Sequence, residues 1–425
     1  MTDKVDVAIL GAGIAGLGAS LGATEKGRKP VVFEALGSAG GLLDNFIIDG
    51  YRFDHAVHLS FATEPKVREI FDKTPYWTHP ADSMCFEEGR WLKHPVQNNL
   101  FPLPPQEKVD LLRSFLARPE KLTEDHYEAW LRHQYGDAIA ERFPLVYTKK
   151  YWATEARELS TTWVGNRMRR ASLDEILFGA FTDDTPNTYY TKEMRYPKVG
   201  GFKSFIRPVI DAATIQYNKR AGLVNPGSHT VEFMDGTKVQ YEDLVSTLPL
   251  PEWPALCNAM PEVVREGALS LKATSIDLIS VGFENVCVKD LWFYIYDSEI
   301  FASRAYSPSI KSPENVPAGK SSLQFEIYNY GKSSTHSPAD MISNTRAAIQ
   351  KMKISRDEDI RFMHHKHLDY GNVIFERGME DRRQVVLDWL KEQGVHSCGR
   401  FGAWDYFWSN QSFLSGYGAL SNETK

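Results

Sequence analysis

Val5-Asp6-Val7-Ala8-Ile9-Leu10-Gly11-Ala12-Gly13-Ile14-Ala15-Gly16 runs a short apolar segment into a glycine-rich turn near the start of a 425-residue chain. A second apolar run, Val31-Val32-Phe33, is closed by Glu34. Strand, turn, helix, strand and acid, in that order, form a dinucleotide-binding fingerprint. Gly11 allows the tight turn, Gly13 lets a pyrophosphate approach the backbone, and Gly16 lets the helix pack closely on the strand. The helix N-terminus, at Ile14 and Ala15, faces the phosphates. Glu34, with Ala35 after it, is placed to accept hydrogen bonds from an adenosine ribose. A bare G-x-G-x-x-G could be an ordinary tight turn; the two strands and the acid argue for a ligand.

Gly37-Ser38-Ala39-Gly40-Gly41-Leu42 comes directly after the acid. The Gly40-Gly41 pair lets a second backbone loop, running on through Leu42, approach the same ligand without side-chain obstruction. A surface turn can have the same composition. The arrangement resembles the FAD-binding domain of the glutathione-reductase and amine-oxidase class, which implies FAD as the dinucleotide. Val231-Glu232-Phe233-Met234-Asp235-Gly236 reads as a strand into a tight turn. Asp243-Leu244-Val245-Ser246-Thr247-Leu248-Pro249 looks like the strand that returns to the first sheet beside the cofactor in such flavoproteins. FAD is expected to lie across segments remote in sequence, held noncovalently, since no Cys or His sits in a recognisable attachment motif.

The composition is that of a globular protein, with 42% hydrophobic and 24% charged residues. A chain of this length is expected to form two or three domains. The net charge of −6 gives no sign of a nucleic-acid surface, so a dianionic substrate would need local arginines. Cys85, Cys257, Cys287 and Cys398 are dispersed and form no C-x-x-C pair, which fits reduced thiols in a cytoplasmic protein. No apolar run reaches the roughly 18 residues that span a bilayer. The first apolar stretch reads as a core strand rather than a signal peptide. His364, His365 and His367 form the densest histidine cluster, but no acidic or Cys partner stands at ligand spacing. They read as sheet or surface residues, and no metal site is expected.

The fold class expected is α/β: an FAD-binding Rossmann-like domain, a helical insertion domain and an antiparallel β-sheet domain. The FAD-binding domain is assigned residues 1–65, 195–255 and 380–425, the helical domain 100–194, and the sheet domain 80–99 and 265–379. Cys85 to Leu92 reads as a hairpin, and Pro105 to Ala117, Glu124 to Tyr135 and Leu173 to Phe178 have helical apolar spacing. Ile276 to Phe283, Leu291 to Tyr296 and Ser322 to Tyr328 alternate as strands, giving a sheet that would roof the flavin. Further helices are expected near Pro338 to Met352 and Glu380 to Gln393.

Several segments, taken in order, resemble UDP-galactopyranose mutases, particularly the eukaryotic type. They are His94-Pro95-Val96-Gln97-Asn98-Asn99, Tyr147-Thr148-Lys149-Lys150-Tyr151-Trp152, Trp163-Val164-Gly165-Asn166-Arg167, Arg195-Tyr196-Pro197 before Gly200-Gly201, and Arg304-Ala305-Tyr306-Ser307-Pro308. The most specific is Gly399-Arg400-Phe401-Gly402-Ala403-Trp404-Asp405-Tyr406 followed by Asn410-Gln411. The resemblance implies a pyranose-furanose mutase in which N5 of reduced FAD is the nucleophile at the anomeric carbon of a nucleotide sugar, with no net redox change. The substrate implied is a UDP-sugar, and NAD(P)H is a possible reductant. Arg167 and Arg304 are implied as the diphosphate ligands, because arginine offers a fixed fork for phosphate oxygens. Tyr294, Tyr306 and Tyr406 are implied as phosphate hydrogen-bonders, and Gln97, Asn98 and Trp163 belong to the substrate segments. Arg400 resembles the arginine on the FAD pyrophosphate, Gln411 a contact to the flavin pyrimidine edge, and Asn410 a cofactor or phosphate contact. His58 aligns with the histidine on the loop beside N5. For these residues the plainer alternatives are surface ion pairs for the arginines, core packing for the tyrosines and helix capping at the last turn.

The chain departs from that family at named positions. Ala56-Val57 stands where the family has Gly-Gly, His94 replaces a tyrosine, Val96 a phenylalanine, and Asn372 a substrate tyrosine. These leave open which nucleotide sugar is taken. Two other readings share the N-terminal half of the reasoning. One is an FAD-dependent oxidase or dehydrogenase of the amine-oxidase or protoporphyrinogen-oxidase class, which has no need of Arg167 and Arg304. The other is a flavin-binding protein without catalysis.

Overall fold

Asp3–Leu10 is a strand whose last four residues are buried, and Ile14–Glu25 is the helix beyond the glycine turn. The continuous run Val7-Ala8-Ile9-Leu10 has no polar alternation because both faces of the sheet are covered. Pro30–Phe33 lies parallel to it on one side, with Leu10 opposite Phe33. Lys238–Ser246 lies parallel on the other, with Leu10 opposite Ser246, so the expected return strand takes its place beside the glycine turn. Ile215–Gln216, Val395–Ser397 and the antiparallel pair Ala221–Asn225 and Thr230–Phe233 complete a seven-stranded sheet. The computed structural model describes residues 3–122, 124–165, 172–186 and 193–421.

A second seven-stranded sheet runs in the order Ile360–Leu368, Thr274–Phe283, Ser321–Tyr330, Arg304–Tyr306, Trp292–Ile295, Met84–Glu87, Arg90–Lys93. It is antiparallel with one exception: Met84–Glu87 runs parallel to Trp292–Ile295. No tight turn ties these two strands, which are remote in sequence, so nothing imposes an antiparallel pairing. The expected antiparallel sheet is present, with this one parallel pairing in it. Thr274–Phe283 is buried along its whole length between neighbours on both edges.

The helical region holds Pro105–Leu116, Tyr127–Tyr135, Asp137–Arg142, Pro144–Trp152 and Leu173–Phe181. Two of these, Asp137–Arg142 and Pro144–Trp152, were not anticipated from periodicity. The second begins with proline at its first turn, a start signal that aromatic and lysine residues downstream obscure. Leu173–Phe181 starts with a capping box between Ser172 and Glu175.

A buried polar knot fixes the segment leading to the cavity described below. Asp54 accepts hydrogen bonds from the Tyr196 hydroxyl at 2.7 Å and the Phe202 N–H at 3.1 Å, and Lys311 Nζ lies 3.4 Å away. Both charged side chains are essentially inaccessible to solvent. Burial pushes the Lys311 ammonium down to about 8, against the opposing pull of Asp54. Removing one member of such a pair leaves the other charge uncompensated. Lys311→Met is therefore expected to destabilise the protein by about 3–5 kcal/mol in urea unfolding, and unchanged stability would show that Asp54 is held without it.

Candidate functional site

A cavity of 1420 Å³ lies between the two sheets and the helical region. Its floor is the glycine turn. Gly11 has φ +98°, which side-chain-bearing residues rarely adopt, and a Cβ there would sit 2.3 Å from Thr247 Oγ1. A Cβ on Gly16 would sit 1.9 Å from the Gly11 carbonyl oxygen, whereas one on Gly13 would meet nothing within 4 Å. The three glycines thus do different things: a turn, open space for a ligand, and helix-to-strand contact. Gly40 pairs with the same turn through its N–H to the Ala12 carbonyl at 2.9 Å. Glu34 accepts from the N–H groups of Ala12 at 2.8 Å and Leu36 at 2.9 Å, so its carboxylate is fixed at the cavity wall. Ile14, Ala15, Ala35, Gly41 and Leu42 also line the cavity; Gly16 lies beneath it.

His58 holds the glycine loop in place. Its Nε2 is 2.7 Å from the Leu42 carbonyl and 3.0 Å from that of His55; since carbonyls only accept, Nε2 carries the proton. Burial lowers its pKa to about 4, so the ring is neutral at pH 7. The polar tip of His58 is therefore spent on the protein's own backbone. Ala56, two residues before, has φ +75°, an uncommon conformation for a non-glycine residue.

The roof is polar on the face toward the cavity. Arg304 donates through Nε to Glu326 and through Nη2 to the Tyr328 hydroxyl at 2.9 Å, and Tyr328 donates to Glu326 at 2.8 Å. Among the described residues Nη1 of Arg304 has no partner. The guanidinium lies 5.2 Å from the ring centre of Tyr151, whose hydroxyl is 2.8 Å from that of Tyr406. Glu326 holds Arg304 well above its already high pKa, against the cost of burial. Glu326, Tyr328, Tyr147 and Tyr151 were missed as site residues. Gln324, Glu326 and Tyr328 do alternate with Leu323, Phe325 and Ile327 in sequence, but only the cross-strand register, Arg304 opposite Glu326, shows why that polar face is buried.

Gln97, Asn98, Trp163, Tyr294, Arg304, Tyr306, Tyr406 and Arg400 all line the cavity, with His58. Tyr306 does so with its hydroxyl already donated to Gln324 and, at 3.4 Å, to the Asp54 carbonyl. Tyr294 packs on the His94 ring, with centres 4.5 Å apart, and the Tyr135 hydroxyl bonds Gln97. Arg400 Nη1 is 3.3 Å from the Gly371 carbonyl and 3.5 Å from Asn372 Oδ1. Two expected contacts are not in the cavity. Gln411 is exposed and caps its helix by accepting from the Trp408 N–H at 2.8 Å, and Asn410 donates to Glu64 at 2.7 Å. Both lie on the helix Ser409–Tyr417, which turns them away from the cavity. Arg167 lies outside the described residues.

The histidine cluster does have an acidic partner, from the neighbouring strand. Asp277 Oδ1 is 2.7 Å from His365 Nε2 and 2.8 Å from His367 Nδ1. No group of three or more His, Cys, Asp or Glu able to hold a metal occurs among the described residues. No helix among them is long and apolar enough to cross a membrane.

Residues 9–74 match the family model of an NAD(P)-binding Rossmann-like domain. The whole chain is similar to a reduced UDP-galactopyranose mutase, with a TM-score of 0.92 and 24% identity over 99% of this chain and 96% of that one. The fold is that of UDP-galactopyranose mutase. It is a variant of an architecture shared more widely. A protein from Exiguobacterium sp. 255-15, provisionally described as a protoporphyrinogen oxidase, matches with a TM-score of 0.75 and 16% identity over 98% of this chain and 97% of that one. A putrescine oxidase bound to putrescine matches with 0.66 and 15% over 98% of each. Within the mutase fold, the α/β class and the separate Rossmann-like and sheet portions anticipated from sequence are present.

Two predictions follow from this geometry. Gly13→Ala should fold normally yet weaken dinucleotide binding at least tenfold, while Gly16→Ala should fail to yield folded protein; circular dichroism and cofactor titration separate them. Acid should destabilise the protein through His58. Its folded pKa is below that of the unfolded chain, so the unfolded state binds more protons between pH 6.5 and 4 and stability falls as pH drops through that window, by up to about 3 kcal/mol. His58→Gln, measured in urea at pH 7 and 4.5, should lose part of that dependence; an identical pH profile would assign it to other groups.

Proposed function

We propose that the chain is a flavin-dependent nucleotide-sugar mutase, a pyranose-furanose isomerase that takes a UDP-sugar and holds FAD noncovalently. The observation that carries the reading is Arg304, a half-buried arginine of the roof sheet with one nitrogen unpartnered among the described residues, in a cavity whose floor is a dinucleotide turn. An amine substrate, itself cationic at neutral pH, would be repelled by such a cation, whereas a diphosphate pairs with it.

The residues present fit FAD. The open space over Gly13, the fixed Glu34 carboxylate, the Gly40–Gly41 approach and the Arg400 guanidinium suit its two phosphates and ribose, and the cavity continues past His58 toward Tyr294. When bound and reduced, FAD would supply the nucleophilic N5 for the anomeric carbon. The chain's own residues do the rest. Arg304 binds a phosphate oxygen through Nη1 while Glu326 and Tyr328 fix the plane of its guanidinium. Negative charge grows on the diphosphate as the glycosidic bond breaks, so a pre-oriented cation stabilises the transition state more than the ground state. Arg167 is assigned the second cation of the clamp. Gln97, Asn98 and Trp163, with Tyr127 and Tyr135, offer the nucleobase an aromatic pocket with amide groups. NAD(P)H is the reductant that suits a cytoplasmic enzyme of this kind.

The test is nucleotide binding to dithionite-reduced protein. Arg304→Lys keeps a cation against Glu326 but loses the fork, and UDP affinity should fall roughly tenfold with flavin content unchanged. Arg304→Ala should weaken binding by one to two orders of magnitude, and it should also destabilise the fold by roughly 3–5 kcal/mol, because Glu326 is left buried and unpaired. Full UDP affinity in both variants would abandon the mutase reading in favour of an oxidase. UDP should also bind more tightly to the reduced than to the oxidised protein, and by linkage it must then raise the flavin potential, by about 30 mV per tenfold difference in affinity. Potentiometric titration with and without UDP measures this, and an unchanged potential with binding confirmed contradicts it.

A further inference from the structure

Glu326 does more than neutralise Arg304. It is wholly buried, and its two carboxylate oxygens face different parts of the cavity wall. Oε2 accepts from Arg304 and Tyr328. Oε1 accepts from the backbone N–H of Val57 at 2.7 Å. Val57 belongs to the short loop Ala56–His58 that walls the same cavity, and this loop is pinned at both ends: by Asp54 through Tyr196, Phe202 and Lys311, and by His58 on the Leu42 carbonyl. Between those pins, His55 is tied to Asp44 and to His58, and Val57 N–H donates to Glu326. The middle is also where the backbone is strained, at Ala56 with φ +75°. A strained residue persists only where its surroundings over-determine it. On the Val57 side of Ala56 that surrounding is Glu326, and its hold depends on how much of its charge Arg304 takes up.

We propose that Glu326 couples the anion site at Arg304 to the Ala56–Val57 loop, so that a diphosphate on Arg304 and the conformation of the flavin-side wall are linked. This rests on the mutase reading of the same site. An anion at Nη1 draws positive charge away from Glu326. The carboxylate is then less compensated and binds the Val57 N–H more strongly. Conversely, a loop that withdraws Val57 leaves Glu326 more firmly on Arg304, which then competes with the incoming anion. The two events favour each other, and the coupling is reciprocal by necessity. Glu326 is a positioning residue in this scheme, since it touches neither ligand.

The experiment measures the midpoint potential of the bound flavin with and without UDP, alongside UDP affinity by calorimetry, in the wild type and three variants. Glu326→Asp keeps the charge beside Arg304 but is a methylene too short to reach Val57 as well. Glu326→Gln keeps an acceptor for Val57 without the charge. Ala56→Gly leaves the anion site untouched and removes the strain. In wild type UDP shifts the potential. With UDP at a concentration that saturates each variant, the shift in Glu326→Asp drops to less than a third of the wild-type value; in Glu326→Gln the shift is likewise lost. Ala56→Gly, the variant least exposed to misfolding, should bind FAD normally and show a clearly smaller shift, because its loop keeps the Val57 contact at no cost whether or not the anion is present. A wild-type shift in Ala56→Gly, or in both Glu326 variants, overturns the coupling while leaving the mutase reading intact. A wild-type protein that binds FAD but not UDP overturns the mutase reading, and the coupling with it.

Discussion

The site depends on two helices that touch through their backbones. A Cβ on Gly18 would lie 2.3 Å from the Phe413 carbonyl oxygen, one on Gly22 would lie 2.2 Å from that of Tyr417, and one on Gly416 would lie 1.8 Å from that of Ala15. The helices Ile14–Glu25 and Ser409–Tyr417 therefore pack with no side chain between them at these points, closer than the usual 8–10 Å between helix axes allows for larger residues. This contact brings the segment around Gly399 and Arg400 onto the N-terminal turn of the first helix, where a Cβ on Gly399 would be 2.5 Å from that of Ala15. Arg400 faces the cavity because of it. The dinucleotide floor and the last motif of the chain are one structural unit, though nearly four hundred residues separate them.

That dependence explains what the sequence could and could not reveal. The fingerprint was legible because each part is local: the spacing of Gly11, Gly13 and Gly16 and the run into Glu34 carry their own geometry. The roof strands were legible as strands because Ile276 to Phe283 and Ser322 to Tyr328 show apolar patterning. Their pairing was not. Arg304 could be singled out by resemblance, but Glu326 could not, because nothing in a single strand says which residue stands opposite. The same limit hid Asp277 from His365 and His367, which sit on a different strand and look unpartnered when only sequence spacing is read. Gln411 and Asn410 stand outside the cavity lining for the opposite reason. They belong to a motif that resembles a cofactor contact, but the first turn of a helix has unsatisfied N–H groups of its own, and Gln411 answers that local demand.

Buried charge in this fold is paired close to the cavity. Lys311 sits on Asp54 and Arg304 on Glu326, each pair bridged by a tyrosine hydroxyl or a backbone N–H. Such pairs add little to stability by themselves, because desolvation offsets most of the attraction. What they provide here is orientation. Tyr328 and Glu326 together remove the rotational freedom of the Arg304 guanidinium, so the nitrogen left open is in a fixed direction before any ligand arrives. A flexible lysine in its place would keep the charge but would not be oriented in advance.

The same pairing limits what the chain can do unaided. His58 donates its one N–H to the Leu42 carbonyl, and burial lowers its pKa to about 4, which makes it a weak base. The tyrosines near Arg304 have hydroxyls pushed well above their usual pKa by burial, as with Tyr147 and Tyr328, so they can donate hydrogen bonds but are poor bases. Glu326 is occupied by three donors. Among the described residues near the centre, none combines an activated nucleophile with a free base. On the mutase reading the reacting atom belongs to what the cavity binds, and the side chains around it hold charge and shape constant while that atom works.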